Sequence, residues 1–188
     1  MAGAVALTLA GCTVLRPDSE PPAPREPARG TVFQIDTPFD AAHAARLLAD
    51  GPNTVTGRAW LRQRKGAAIT CAGQPVYLVP ATDYARVRIR ALYGSEQRGA
   101  RLDGRVLNFS PDPDAYSQRV RQTRCDADGR FRFERVASGR FFVTAVVRDR
   151  DGEHQGGPRR GSGSLMHAVD TGGGRTGGGR TIDLTLSR

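Results

Sequence analysis

Lysine is almost missing: Lys65 is the only one, so nearly all of the 28 basic residues are arginine. Against 19 acidic residues they leave a net charge of +9 and a sequence pI near 10.6. Basic residues clustered on one element and interleaved with stacking aromatics would mark a nucleic-acid face, and no such cluster occurs. The arginines alternate with apolar residues, as in Arg130-Phe131-Arg132-Phe133 and Arg86-Val87-Arg88-Ile89-Arg90. That is the polar half of a half-buried sheet, a solvated face, so nucleic acid is not expected as a partner. Attraction to anionic envelope surfaces is the functional reading of the same charge. Long apolar runs are missing too, and none approaches the ~20 residues of a membrane-spanning helix. Histidine is scarce: His43, His154 and His167 fall in separate elements, which leaves no triad and no ligand pair at helical spacing. Hydrophobic residues make up only 38% of the chain, so part of it lies outside a core. The 23 glycines and 12 prolines gather in residues 17–30 and 156–179 and mark those stretches as linker and loop.

The chain opens MAGAVALTLAGCT, in which Val5–Ala10 is a short apolar run ending at Gly11-Cys12. A run of this length ending in small residues has the shape of a secretory signal. Leu9-Ala10-Gly11-Cys12 resembles the lipobox of bacterial lipoproteins. That resemblance implies cleavage before Cys12, diacylglycerol on its thiol and acylation of the new N-terminus. Several acyl chains, at about 0.8 kcal/mol per buried methylene, would hold the mature protein on a bilayer. No basic residue precedes Cys12, a departure from the lipoprotein pattern that a start codon further upstream would explain. Thr13 is not the aspartate of an inner-membrane retention signal, so an outer-membrane address is expected, facing the periplasm or cell surface. Residues 1–11 are therefore read as signal peptide and 12–30 as a proline-rich tether. Residues 31–188 are read as one β-sandwich domain with its core in about 54–148.

The first element is expected to be a helix near residues 38–50, with Thr37 as cap, Pro38 in its first turn and Gly51-Pro52 as its stop, packed as a lid. From Asn53 the period becomes two: Val55, Gly57, Ala59 and Leu61 share one face of a strand. Val76–Pro80 is a second strand. Residues 82–94 fit a helix face through Tyr84, Val87, Ala91 and Leu92, and a strand face through Val87, Ile89 and Ala91. Thr82-Asp83 as cap and Gly94 as stop favour a short helix. Residues 95–116 are mostly turn material. Strands follow at 119–125, 130–134, 141–147, 165–169 and 181–186, with turns at Asp126–Gly129 and Val136–Gly139. Many short strands with little helix predict an all-β antiparallel sandwich with a short N-terminal helix and one short helical insert.

Three stretches carry a further resemblance: Gly57-Arg58-Ala59-Trp60-Leu61, Thr70–Thr82 with Tyr84, and Cys125–Phe133 followed by Val136–Val143. Together they look like bacterial carboxypeptidase-regulatory-like domains, which are transthyretin-type β-sandwiches. The match runs over about residues 38–148, with a weaker tail to 186. Ala137, where proline is usual, and Arg140, where an acidic or polar residue is usual, depart from it. The resemblance implies a binding or structural module without a peptidase site, engaging an envelope protein or glycan. No catalytic residue, metal or cofactor is expected.

With Cys12 taken by lipid, Cys71 and Cys125 remain as a pair in an oxidising compartment, each at the end of a strand, and are expected to form a disulfide. Asp126-Ala127-Asp128-Gly129 lacks the third oxygen ligand and distal glutamate of a calcium loop and reads as a turn. Asp149–Gly152 reads the same way. Gly161-Ser162-Gly163-Ser164 lacks the spacing of a nucleophile elbow. The glycine-rich run Thr171–Arg180 has no aromatic for stacking and reads as a connection. Two other classes stay in view: a carbohydrate-binding module using Trp60, Tyr77, Tyr84 or Tyr116, and a metal-dependent hydrolase using Asp126, Asp128 and His167.

Overall fold

Alternating burial runs through the longest strand of the computed structural model, which describes residues 31–62, 68–102, 106–148, 162–172 and 178–188. In chain order the elements are β1 (Thr31–Gln34), α1 (Ala41–Leu48), β2 (Asn53–Leu61), β3 (Ile69–Thr70), β4 (Pro75–Pro80), α2 (Asp83–Tyr93) and β5 (Arg98–Arg101). Then come β6 (Leu107–Ser110), α3 (Asp114–Gln118), β7 (Arg121–Arg124), β8 (Arg130–Val136), β9 (Arg140–Val147), β10 (Gly163–Asp170) and β11 (Thr181–Ser187).

One sheet has the order β5-β10-β9-β4-β7, antiparallel throughout. In the other, β11 pairs one edge of β2, while β8 and β3 share its second edge. Their facing sides make the main core, with Val55, Ala59, Phe131, Phe133 and Leu184 against Val76, Leu78, Phe141, Val143 and Leu165. The all-β sandwich is therefore present, although two pairings are parallel, β2 with β11 and β1 with β6.

The lid helix begins later than the sequence suggests. Its cap is Asp40, not Thr37, because the Asp40 carboxylate accepts the His43 N–H at 2.8 Å. Ala44 is buried, and Leu47 packs against the main core. Residues 83–93 are helix: the Thr82 hydroxyl accepts the Ala85 N–H at 3.3 Å, and Gly94 ends the helix at φ +73°. The alternation of Arg86, Arg88 and Arg90 is therefore not that of a strand.

Helix α2 adds a third layer. Its Ala85 and Ile89 cover Val79, Phe142 and Met166 on the outer face of the five-stranded sheet. Tyr84, Val87, Ala91 and Leu92 face away from that sheet, towards Ile35, Phe39, Phe109 and Leu107 around the β1–β6 ribbon. Residues 95–116 are correspondingly richer in structure than turn material: they hold β5, β6 and the start of α3. Arg98-Gly99-Ala100-Arg101 has no alternation to announce a strand, and its pairing with β10 makes it one.

Candidate functional site

The disulfide is present: Cys71 and Cys125 are bonded with Cα atoms 5.8 Å apart, and both residues are buried. It ties the loop before β4 to the end of β7, where Gly73 N–H donates to the Cys125 carbonyl and Cys125 N–H to that of Gln74, both at 3.0 Å. Cys12 and His154 lie outside the described residues, as do the signal, the tether and the Asp149–Gly152 turn.

The hydrolase constellation does not assemble. Asp126 and Asp128 sit in the β7–β8 turn, where the Asp126 Oδ1 accepts the N–H groups of Asp128 at 3.0 Å and Arg130 at 2.8 Å. That is turn chemistry, as the sequence indicates. His167 lies in β10, three strand spacings from β7 in the sheet order, or roughly 14 Å at ~4.8 Å per spacing. His43 is in α1, far along the chain from both, and among the described residues no three His, Cys, Asp or Glu side chains converge as metal ligands.

Nor do the four candidate sugar-stacking aromatics form one platform. Tyr77, Tyr84 and Tyr116 all pack around α2, whereas Trp60 lies on the outer face of β2 with the Arg62 guanidinium 5.9 Å from its ring centroid. Tyr84 is buried, and its ring meets those of Phe39 and Tyr116 edge-on at 5.8 and 5.1 Å. Beside them, Arg88 stands over Phe109 at 4.1 Å and Tyr116 at 4.8 Å, forks onto both Asp112 oxygens, and donates to the Tyr84 hydroxyl at 3.2 Å. Tyr84 in turn donates to the Pro111 carbonyl at 2.8 Å. Burial pulls the Arg88 guanidinium down, but its bonds to Asp112 and Tyr84 outweigh that and hold it above its ordinary value. Burial raises the Tyr84 and Tyr93 hydroxyls and pushes Tyr116 up to about 12. With its donors engaged by side chains of the fold, Arg88 clips the ribbon and α3 onto α2, a task that its place in an apparent strand alternation conceals.

Among the described residues, what remains open is the outer face of β11-β2-β8. Because Val55, Ala59, Phe131, Phe133, Leu184 and Leu186 point into the core, the intervening residues are turned to solvent. Thr56, Arg58, Arg130, Arg132, Asp183 and Thr185 thereby share a groove of about 670 Å³ with Thr123, Arg124 and Asp126. Its floor depends on Gly57. A Cβ there would lie 2.5 Å from both the Leu184 carbonyl oxygen and Phe131 Cζ, so a side chain would collide with the β11 backbone and the Phe131 ring.

Within the groove, Thr56 donates to Asp183 at 3.0 Å, and the Arg58 Nε–H donates to the Asp128 carbonyl at 2.9 Å. Arg132 pairs with Glu134 at 2.7 Å, and Arg124 donates to the Gly73 carbonyl at 3.0 Å. The guanidinium of Arg130 has no partner among the described residues. A rigid floor carrying guanidinium and hydroxyl groups can hold a polyhydroxylated or anionic ligand by hydrogen bonds. The alternation of β8 places its two arginines on one face in the sequence alone. Their convergence with β11 needed the parallel β2–β11 pairing, which no local signal announces.

These features define an all-β sandwich with one sheet face that is polar, grooved and, among the described residues, uncovered. No family model matches the chain, and no curated protein sequence matches it either. Among solved structures it is similar to a Pseudomonas aeruginosa protein proposed to bind carbohydrate, at a TM-score of 0.56 and 19% identity over 80% of this chain and 97% of that one. At that identity the likeness is one of fold. A minor pilin of Streptococcus agalactiae aligns over 74% of this chain and 46% of its own at 11% identity and a TM-score of 0.34, too low to bear on the fold.

Proposed function

We propose that this chain is a non-enzymatic lipoprotein of the bacterial outer membrane. In this reading its sandwich is a carboxypeptidase-regulatory-like module that binds envelope carbohydrate. The observation that carries the binding role is the groove of about 670 Å³ on the β11-β2-β8 face, floored by strands and lined by arginine, threonine and aspartate side chains. Saccharides are recognised by such convergent polar groups, held in place on a rigid scaffold. The fold shared with a protein proposed to bind carbohydrate supports the same reading. A buried disulfide suits an oxidising compartment such as the periplasm. The anchor rests on Leu9-Ala10-Gly11-Cys12 and the proline-rich segment after it.

Cells fed an alkyne fatty acid should yield labelled protein, and Cys12→Ala should yield none; label that persists in the variant would refute the anchor. For the binding role, the full chain should be retarded in native gels containing a polysaccharide. Migration unchanged across neutral and acidic polysaccharides alike would sink the carbohydrate reading.

A further inference from the structure

We infer that the groove takes an acidic saccharide, a chain bearing carboxylate groups, gripped by Arg58 and Arg130; this rests on the carbohydrate reading. Arg58 and Arg130 are directly opposite each other across the β2–β8 pair. Like charges so placed repel and weaken a sheet, so this pairing works against the fold. The groove is lined by four arginines and two aspartates, and neither aspartate is used to neutralise the pair. Asp183 accepts from Thr56, and Asp126 accepts two backbone N–H groups of its own turn. Arg132 is neutralised by Glu134, and Arg58 spends only its Nε–H, on a backbone carbonyl. Among the described residues, the terminal nitrogens of Arg58 and the whole guanidinium of Arg130 are left to donate, and both side chains are exposed.

A guanidinium fork matches a planar carboxylate with two parallel hydrogen bonds, which gives such a pair a ligand preference as well as a charge preference. The hydroxyls of Thr185 and Thr123 line the same groove and make no hydrogen bond among the described residues, which leaves them for sugar hydroxyls. A membrane surface presents charge in a plane. This charge lies in a concavity between the β8 and β11 rows and β7, which suits a single chain.

The test is binding of polygalacturonate, neutral dextran and phosphatidylglycerol vesicles to the full chain carrying Cys12→Ala, which has no lipid of its own on the proposed anchor. Polygalacturonate should bind and dextran should not. Loss of one charge-assisted bidentate contact should weaken binding about tenfold in Arg58→Gln and again in Arg130→Gln. Arg98→Gln, on β5 at the opposite edge of the other sheet, should change nothing. If Arg58→Gln disturbs the turn it braces, Arg130→Gln still decides, because its guanidinium holds nothing among the described residues. Equal weakening by Arg98→Gln would reduce the effect to net charge and overturn the inference. So would vesicle binding that is tighter and lost with the same two arginines. Binding to dextran alone would overturn the acidic ligand and leave the carbohydrate reading standing. Binding to neither polysaccharide would sink both.

Discussion

Replacing Cys71 and Cys125 together by alanine should lower the unfolding free energy by about 4 kcal/mol. The bond closes a loop with a sequence separation of 54, and on the chain-entropy model a cross-link of that span removes about that much freedom from the unfolded chain. Its position makes the folded side of the balance matter as well. Cys71 N–H donates to the Ala59 carbonyl of β2 at 3.0 Å, while Cys125 is hydrogen-bonded to the loop before β4. The bond therefore joins two connections that pass from one sheet to the other, β3 to β4 and β7 to β8, beside the turn that carries Arg124 and Asp126 into the groove. Urea unfolding should show a lower midpoint and a slope that does not fall, because the unfolded chain without its cross-link exposes more surface. The variant should also bind the proposed saccharide more weakly, because backbone hydrogen bonds alone then hold the β7–β8 turn to the loop before β4. A loss under about 1 kcal/mol would mean that β4–β7 pairing alone holds this end.

How much of this was legible in the sequence depends on how local each signal is. The alternation of β2 and β8, the caps of α2 at Thr82 and Gly94, and the Asp126 turn are written in consecutive residues, and the structure has them where they are expected. The two cysteines could be paired because reading Cys12 as the lipid-bearing residue leaves only them. Less visible was everything decided by a distant partner. β1 has no buried residue and exists as a strand through its parallel pairing with β6, in which Thr31 meets Leu107, 76 positions later. β5 is a strand because β10 lies beside it. The face of α2 formed by Tyr84, Val87, Ala91 and Leu92 was readable, yet its second face, Ala85 and Ile89, was hidden by the arginines between them. Arg88 was missed for the same reason: among exposed arginines, nothing local distinguishes the one that lies over two aromatic rings. The groove was half legible. Outward-facing Arg58, Arg130 and Arg132 follow from period two, whereas the approach of Asp183 and Thr185 follows from a long-range parallel register that pairs Thr56 with Asp183.

Phe142→Ala should cost about 3–5 kcal/mol, as much as Phe141→Ala beside it. In a strand of a two-layer sandwich one of two neighbouring residues faces solvent, and truncating that one would change stability by no more than about 0.5 kcal/mol. Here Phe141, Phe142 and Val143 are all fully buried. Phe141 fills the space between the sheets, whereas Phe142 points the opposite way, into Val79, Ala85, Ile89 and Met166 under α2. Its removal leaves a void between a five-stranded sheet and a helix held from its far side by Tyr84 and Arg88, so neither wall can move in freely to fill it. The consequence should travel outward. Helix α2, with Tyr116 of α3 beside it, joins the β1–β6 ribbon's apolar cluster to the sheet, so hydrogen exchange in α2 and β6 should rise together in Phe142→Ala. In Phe141→Ala the increase should fall instead on β2 and β8, whose Val55, Phe131 and Phe133 share its cluster. Equilibrium unfolding and site-resolved exchange of the two variants would measure both effects. A loss below about 1 kcal/mol for Phe142→Ala, with exchange in α2 unchanged, would mean that the helix rests on the sheet without being held by it.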